Sequence, residues 1–313
     1  MKNVINRTHV EGLLYQHTLE LKESGPNSKN PGTQFISGTI EIATDNALTN
    51  IVPVHFTYAT AVTSSGKPNR AYTTLQNIID GSIPSVMKDG AEKAAVIKID
   101  SAIGLNEFYS DRNGKTELVS VKRNEGGFIN VGGMLEEDEN VRNTFQCDML
   151  ITGCERKEAD EERQIPEKAV VKGAIFDFRG SLLPVEFSAL APAAMSYFEG
   201  LGASSKEPVF TKVWGNQVSE TIVRTITEES AFGEDSVREV KSSRKDFVIT
   251  GASKEPYAWD SDETITANEL VQKMAERETY LASMKQRQDE YNATKNQPNV
   301  AAAPMAAIGG FNF

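Results

Sequence analysis

The chain has 313 residues, 39% hydrophobic and 25% charged, with a formal net charge of −11. That composition belongs to a globular protein with room for roughly two cores of ~150 residues each. No apolar run approaches the ~20 residues needed to span a bilayer, and the acidic balance argues against a protein that coats duplex DNA by charge alone.

The opening residues, MKNVINRTHVEG, lack the apolar stretch of a secretory signal. A cytoplasmic protein without membrane association is expected. Period-two patterning then dominates to about residue 255. In residues 9–23, Leu13, Tyr15, His17, Leu19 and Leu21 share one face, as in a half-buried strand. Tyr15 and His17, on the face of the leucines, read as core. The loop at 24–33 leads to strands at 34–44 and 50–60. A second loop at 63–70 opens a helix at 71–81, where Leu75, Ile78 and Ile79 have helical spacing and Gly81 suits the position after the cap. Strands return at 94–103, 117–123 and 127–131. The run GGFINVGG at 126–133 reads as a hairpin or bulge rather than a phosphate cradle.

From residue 143 the same order recurs: strands at 143–155, in 169–190, a helix at 191–202, and strands at 209–216, 221–227 and 244–250. Gly38-Thr-Ile with Pro53-Val-His-Phe56 parallels Gly173-Ala-Ile with Pro184-Val-Glu-Phe187, the prolines 131 residues apart. Ancient duplication and chance convergence of two β-domains both account for so short a match.

Five strands with a helix between the third and fourth is the element count of an OB-fold, though a barrel of other topology or a sandwich gives a similar string. The expected class is β-dominated with minor α. It comprises two tandem OB-like barrels at 1–133 and 134–255, a connector and C-terminal helix at 256–292, and a flexible tail at 293–313. Thr266 and Glu269 form a capping box for that helix. Leu270, Met274, Tyr280, Leu281, Met284 and Tyr291 give it an apolar stripe.

Catalytic motifs are absent, so a non-enzyme without cofactors is expected. His9, His17 and His55 have no metal-ligand spacing, and Cys147 and Cys154, seven apart, would face opposite sides of one strand. The acidic runs at 136–139 and 158–162 read as solvated loops.

Candidate binding residues follow from strand phase. If Gly38 and Gly173 face the core, then Val171 and Ile175 point inward. Lys172, Phe176 and Phe178 then point outward, with Arg179 at the strand end. Likewise Val213 points inward, and Phe210, Lys212 and Trp214 outward. Rings alternating with cations suit single-stranded nucleic acid, where each stacked base contributes ~1–3 kcal/mol. The inverted phase, with the four rings in the core, is the alternative. In the first half, Tyr58, Lys67, Arg70 and Tyr72 cluster about the loop before the helix. Lys122 and Arg123 end a strand beside the glycine-rich turn.

Lys212-Val-Trp-Gly-Asn-Gln-Val-Ser-Glu220 resembles a strand segment of bacterial-type single-stranded DNA-binding proteins. The resemblance implies an OB-fold, sequence-independent binding of single-stranded DNA in replication or recombination, and Trp214 as a stacking residue. It also implies a tail that recruits replication proteins, here ending in Phe311 and Phe313 but without acidic residues. Size and divergence suit a phage-encoded member acting in the host cytoplasm. Homo-oligomerisation stays open. A β-rich structural or adaptor protein, such as a virion component without nucleic-acid binding, is the alternative function.

Overall fold

The structure is a computed structural model. It describes residues 4–26, 28–112, 115–160, 165–228, 232, 236–259, 261 and 264–295. In chain order its elements are β1 (Asn6–His17), β2 (Glu20–Glu23), β3 (Gln34–Ala43), β4 (Ile51–Thr60), α1 (Arg70–Ile79), α2 (Val86–Asp89), β5 (Val96–Arg112) and β6 (Lys115–Val131). There follow β7 (Asn143–Lys157), β8 (Lys168–Phe176), β9 (Leu182–Ala189), α3 (Pro192–Gly200), β10 (Val209–Glu228), β11 (Ser236–Ala252) and α4 (Ala267–Lys295).

Two closed five-stranded barrels result. In the first, β1 pairs with β3, β3 with β4, β6 with β5 and β5 with β1, all antiparallel, while β4 and β6 run parallel. In the second, β7, β8, β9, β11 and β10 repeat those pairings, with β9 and β11 the parallel pair. A helix joins the third and fourth strands of each, which is the OB arrangement. The interiors are filled separately. Val10, Ile40, Val54 and Leu75 belong to the first core. Cys147, Val171, Phe187 and Val213 belong to the second.

The barrels fuse through their first strands: β1 and β7 pair antiparallel, from Asn6 opposite Cys147 to Val10 opposite Asn143. This makes one barrel the approximate two-fold mate of the other. Leu14 and Ile151 each precede a bulge, Glu11 and Asp148 are both buried acids, and each pair is 137 positions apart. The Gly/Pro signature does not superpose in this way. Pro53 faces Glu41, three positions past Gly38, but Pro184 faces Ala174, one past Gly173. The first hairpin has the longer turn, so the registers differ.

The bulge between Ile151 and Gly153 also corrects the cysteine expectation. One extra residue restores the phase, and Cys154 packs against the same core that holds Cys147. Burial pushes both thiols up, and both are free. Opposite Asp100 and Ala102, the β6 strand carries an extra residue at Gly126–Gly127, so the glycine-rich run does hold a bulge.

The hairpins β5–β6 and β10–β11 extend well past their own barrels as exchanged arms. The first lays Ile103 and Leu105 against the second core. The second reaches back, with Asn50 bridged to Glu220. α1 is capped by the Asn69 side chain, which accepts from Ala71 N–H, and Gly81 at φ 81° follows its end. The capping box of α4 is present: the Glu269 N–H donates to Thr266 Oγ1 at 3.2 Å and the Thr266 N–H to Glu269 Oε2 at 3.0 Å. Leu270, Leu281 and Met284 are half-buried in the middle of its apolar stripe. Met274, Tyr280 and Tyr291 at its edges are exposed.

Candidate nucleic-acid interface

Val171, Ile175 and Val213 point into the second barrel, and Phe176 and Phe210 point away from it. Around these two rings that outer face is nevertheless covered. After β11 the chain returns along β10, with the Tyr257 N–H donating to the Phe210 carbonyl at 2.8 Å. Tyr257, Ile265 and Leu270 close over Phe176, Phe210 and Leu150. The rings of Phe176 and Phe210 are 6.4 Å apart, edge to face, and Tyr257 lies 5.3 Å from Phe210. Both phenylalanines are buried, so neither can stack on a base, contrary to the expectation from strand phase. A second apolar layer outside a barrel is invisible to period-two reasoning, which separates faces but not what covers them.

Lys122 is displaced from its expected role too. It sits on the β5–β6 arm, and its ammonium lies 5.3 Å and 5.6 Å from the ring centroids of Phe187 and Phe247 in the other barrel, donating to the Glu186 carbonyl. Burial, partly offset by Asp246, holds its pKa below the usual lysine value. Its ammonium is thus engaged by the rings and backbone of the second barrel instead of standing free beside the glycine-rich turn.

The remaining expected residues fall into three separate places. On the first barrel, Tyr58 is half exposed and its ring packs 4.5 Å from Phe35. Arg123 donates to Thr57 Oγ1 at 3.2 Å and pairs with Glu125 at 2.6 Å. On the same outer strands, His55 bonds Thr39 Oγ1 at 2.8 Å. Burial first, and then Arg123, hold His55 below the usual imidazole range. Lys67 and Arg70 flank the start of α1, while Tyr72 packs its ring onto the first core.

At the turn after β8, Phe178 is 89% exposed, and the Arg179 guanidinium lies 5.0 Å over its ring. Asp177 shapes this turn by accepting from the N–H groups of Arg179 and Ser181 at 2.8 and 2.7 Å. Lys172 lies farther along β8 and is engaged by Glu155 at 2.6 Å, which raises its pKa.

The third place is the sheet shared by the barrels. Arg7, Gln146, Trp214 and Gly251 stand in one row across β1, β7, β10 and β11. The indole of Trp214 lies over Gly251: a Cβ there would fall 2.4 Å from its Cε2 and Nε1 atoms. Trp214 keeps 39% of its surface exposed. Lys212, two residues before it, stands opposite Asp148, as Lys98 stands opposite Glu11 in the first barrel. Lys98 and Glu11 make an ion pair at 2.8 Å. Burial raises the Glu11 carboxyl, but the hydrogen bonds from Lys98 and the Glu136 N–H outweigh it and leave the pKa below the usual value. Phe35, Arg7, Gln146 and Gly251 escaped sequence reasoning because their relation to the candidate rings is across strands, not along one.

Phe311 and Phe313 lie outside the described residues. Among the described residues no helix is long and apolar enough to cross a membrane, and no three His, Cys, Asp or Glu side chains are grouped to hold a metal.

A sequence-family model described as YorF matches residues 5–287. The chain belongs to the YorF family. The match spans both barrels and most of α4, so the fused pair and its helix fall within one family unit. No curated protein matches the chain. Solved structures similar to this YorF-family chain include two of the single-stranded DNA binding protein from Thermus aquaticus. A deletion mutant has 12% identity and a TM-score of 0.45, covering 84% of this chain and 100% of that one. The wild-type protein has 12% identity and a TM-score of 0.42, covering 82% and 95%. The barrel assignment stands on the strand pairings of the YorF-family chain itself.

Proposed function

We propose that this protein is a non-enzymatic binder of single-stranded DNA, sequence-independent, serving replication or recombination. One observation carries the reading: the Trp214 indole, half exposed, is laid over Gly251 on the shared sheet, with Lys212 beside it on the strand and Arg7 two strands away. Neither cation has an ion-pair partner among the described residues. A flat, supported ring with nearby cations suits a strand whose bases stack and whose phosphates need neutralising. Overall acidity does not oppose this, because phosphate attraction is local within about 10 Å at 0.1 M salt.

Trp214 and Trp259 are the two tryptophans, so a W259F background isolates the relevant one. Titration with oligo-dT is expected to quench its fluorescence, with affinity falling as salt rises. Unchanged emission together with no gel shift at low salt overturns the proposal. A folded W214A protein that binds oligo-dT normally moves the site elsewhere.

The adaptor reading draws on a different observation, the exposure of Val271, Met274 and Tyr291 on α4. A defined large assembly forming without nucleic acid, seen by light scattering, favours it.

A further inference from the structure

A cleft of about 520 Å³ opens where the β5 arm, the β8–β9 turn and α4 meet. Its volume is that of a small-ligand pocket. The floor is apolar, from Ile103, Leu105, Leu182 and Leu183. Two aromatic rings stand at its walls from unrelated parts of the chain: Phe178 from the turn and Tyr280 from α4. Both are exposed, at 89% and 48%.

The charges of the cleft are nearly all satisfied within the protein. Glu107 is held by Arg277 at 2.5 Å, and Arg277 is fixed further by the Leu182 carbonyl. Glu276 is held by Lys273 at 2.8 Å, and Glu125 by Arg123 at 2.6 Å. Asp177 is engaged by the N–H groups of its own turn. Arg179 is the exception: its guanidinium has no carboxylate partner among the described residues and rests over the Phe178 ring. Three of the four carboxylates are thus paired with cations, Asp177 is held by backbone N–H groups alone, and Arg179 is the one cation at the rim without a carboxylate in contact among the described residues.

We propose that this cleft is a pocket for one nucleobase and its adjoining phosphate, with α4 as one wall. The base lies against Phe178 and Tyr280 over the aliphatic floor, and the phosphate meets Arg179. As a site on a bound strand, this rests on the strand-binding reading above. The same chemistry would also admit a free nucleotide.

The test uses the full chain with oligo-dT carrying a single photoreactive 5-iodouracil, and separately with dTMP. The expected result is a cross-link to the peptides bearing Phe178 or Tyr280. F178A and Y280A should lose that cross-link and bind oligo-dT about five- to a hundred-fold more weakly. Tyr291→Ala, on the same helix but outside the cleft, should bind as wild type. Normal oligo-dT binding by wild type, F178A and Y280A, with cross-links elsewhere, overturns the pocket and leaves strand binding intact. Wild type binding neither ligand overturns both. Binding of dTMP that is lost in F178A and Y280A, without oligo-dT binding, supports the pocket as a free-nucleotide site and overturns strand binding.

Discussion

Asn6 and Asn143 occupy the same position on the first strands of the two barrels, 137 residues apart, and each reaches into the other barrel. Asn6 Nδ2 donates to the Phe176 carbonyl at 3.1 Å and to the Ile103 carbonyl of its own arm at 2.9 Å. Asn143 Nδ2 donates to Thr44 Oγ1 at 3.1 Å and to the Gln217 carbonyl of its own arm at 3.0 Å. Each amide therefore ties a first strand, an arm and a foreign turn together. Asn143→Ala, at a buried site, is expected to destabilise by about 1–3 kcal/mol because its partners are left unsatisfied. Urea unfolding of N143A and N6A measures it. Losses below about 0.5 kcal/mol in both, the range of neutral surface changes, would show that these amides do not join the barrels.

The corrected placement of the phenylalanines separates two kinds of variant. Phe210→Ala empties a site with no exposed surface and should lose about 3–5 kcal/mol. Phe178→Ala, on an exposed turn, should stay within about 0.5 kcal/mol of wild type. Thermal melts of the two proteins decide it, and equal melting temperatures would return Phe210 to the surface.

Gly251 is where the indole needs the absence of a side chain. Gly251→Val places its Cβ into the ring position, so Trp214 must swing outward while the barrel core beneath, at Ile249 and Val213, is untouched. In the W259F background, emission should shift to the red and oligo-dT affinity should drop several-fold, with the far-ultraviolet circular dichroism preserved. Unaltered emission would mean that the ring does not rest on Gly251.

Acidification tests His55. Its neighbours Arg123 and Lys245 and its own burial oppose protonation, and Glu125 and Glu41 only partly compensate. An unfolded chain takes up a proton on this histidine near the ordinary imidazole value of about 6.5, while in the native protein uptake is shifted to lower pH. The unfolded state then binds more protons, so stability falls as pH drops below about 6.5 and stops falling at the lower folded value. His17, lowered by burial and Lys88, acts in the same direction. Urea midpoints at about pH 7.5 and about pH 5.5 should differ less in H55Q than in wild type. An identical difference assigns the slope to other groups.

Arg277 anchors α4 through a nearly buried pair with Glu107, whose side chain is only 4% exposed. Arg277→Ala leaves that carboxylate without its cation, a loss of about 3–5 kcal/mol when a buried pair is broken. Limited proteolysis should then cut within α4 before the barrels, and the double variant R277M/E107M should restore resistance. Unchanged cleavage of R277A would show that the helix is held elsewhere.

The β-rich class, the recurrence of strand order, the helix after each third strand and the capping box at Thr266 were all legible from residue types and their periods. These features depend on neighbours along the chain: alternation sets a strand's two faces, and a threonine three residues before a glutamate can cap a helix wherever that helix lies. Three things required the tertiary structure. The bulge after Ile151 shifted Cys154 by one phase, and a bulge depends on the partner strand. The return of Tyr257 and Ile265 over Phe176 and Phe210 converted an outward face into a second core. The arms carried Lys122 into a foreign barrel, and gathered Phe178, Arg277 and Tyr280 around one cleft. Periodicity records which residues leave a strand together; only the three-dimensional path of distant segments decides whether they meet water, another core or a ligand.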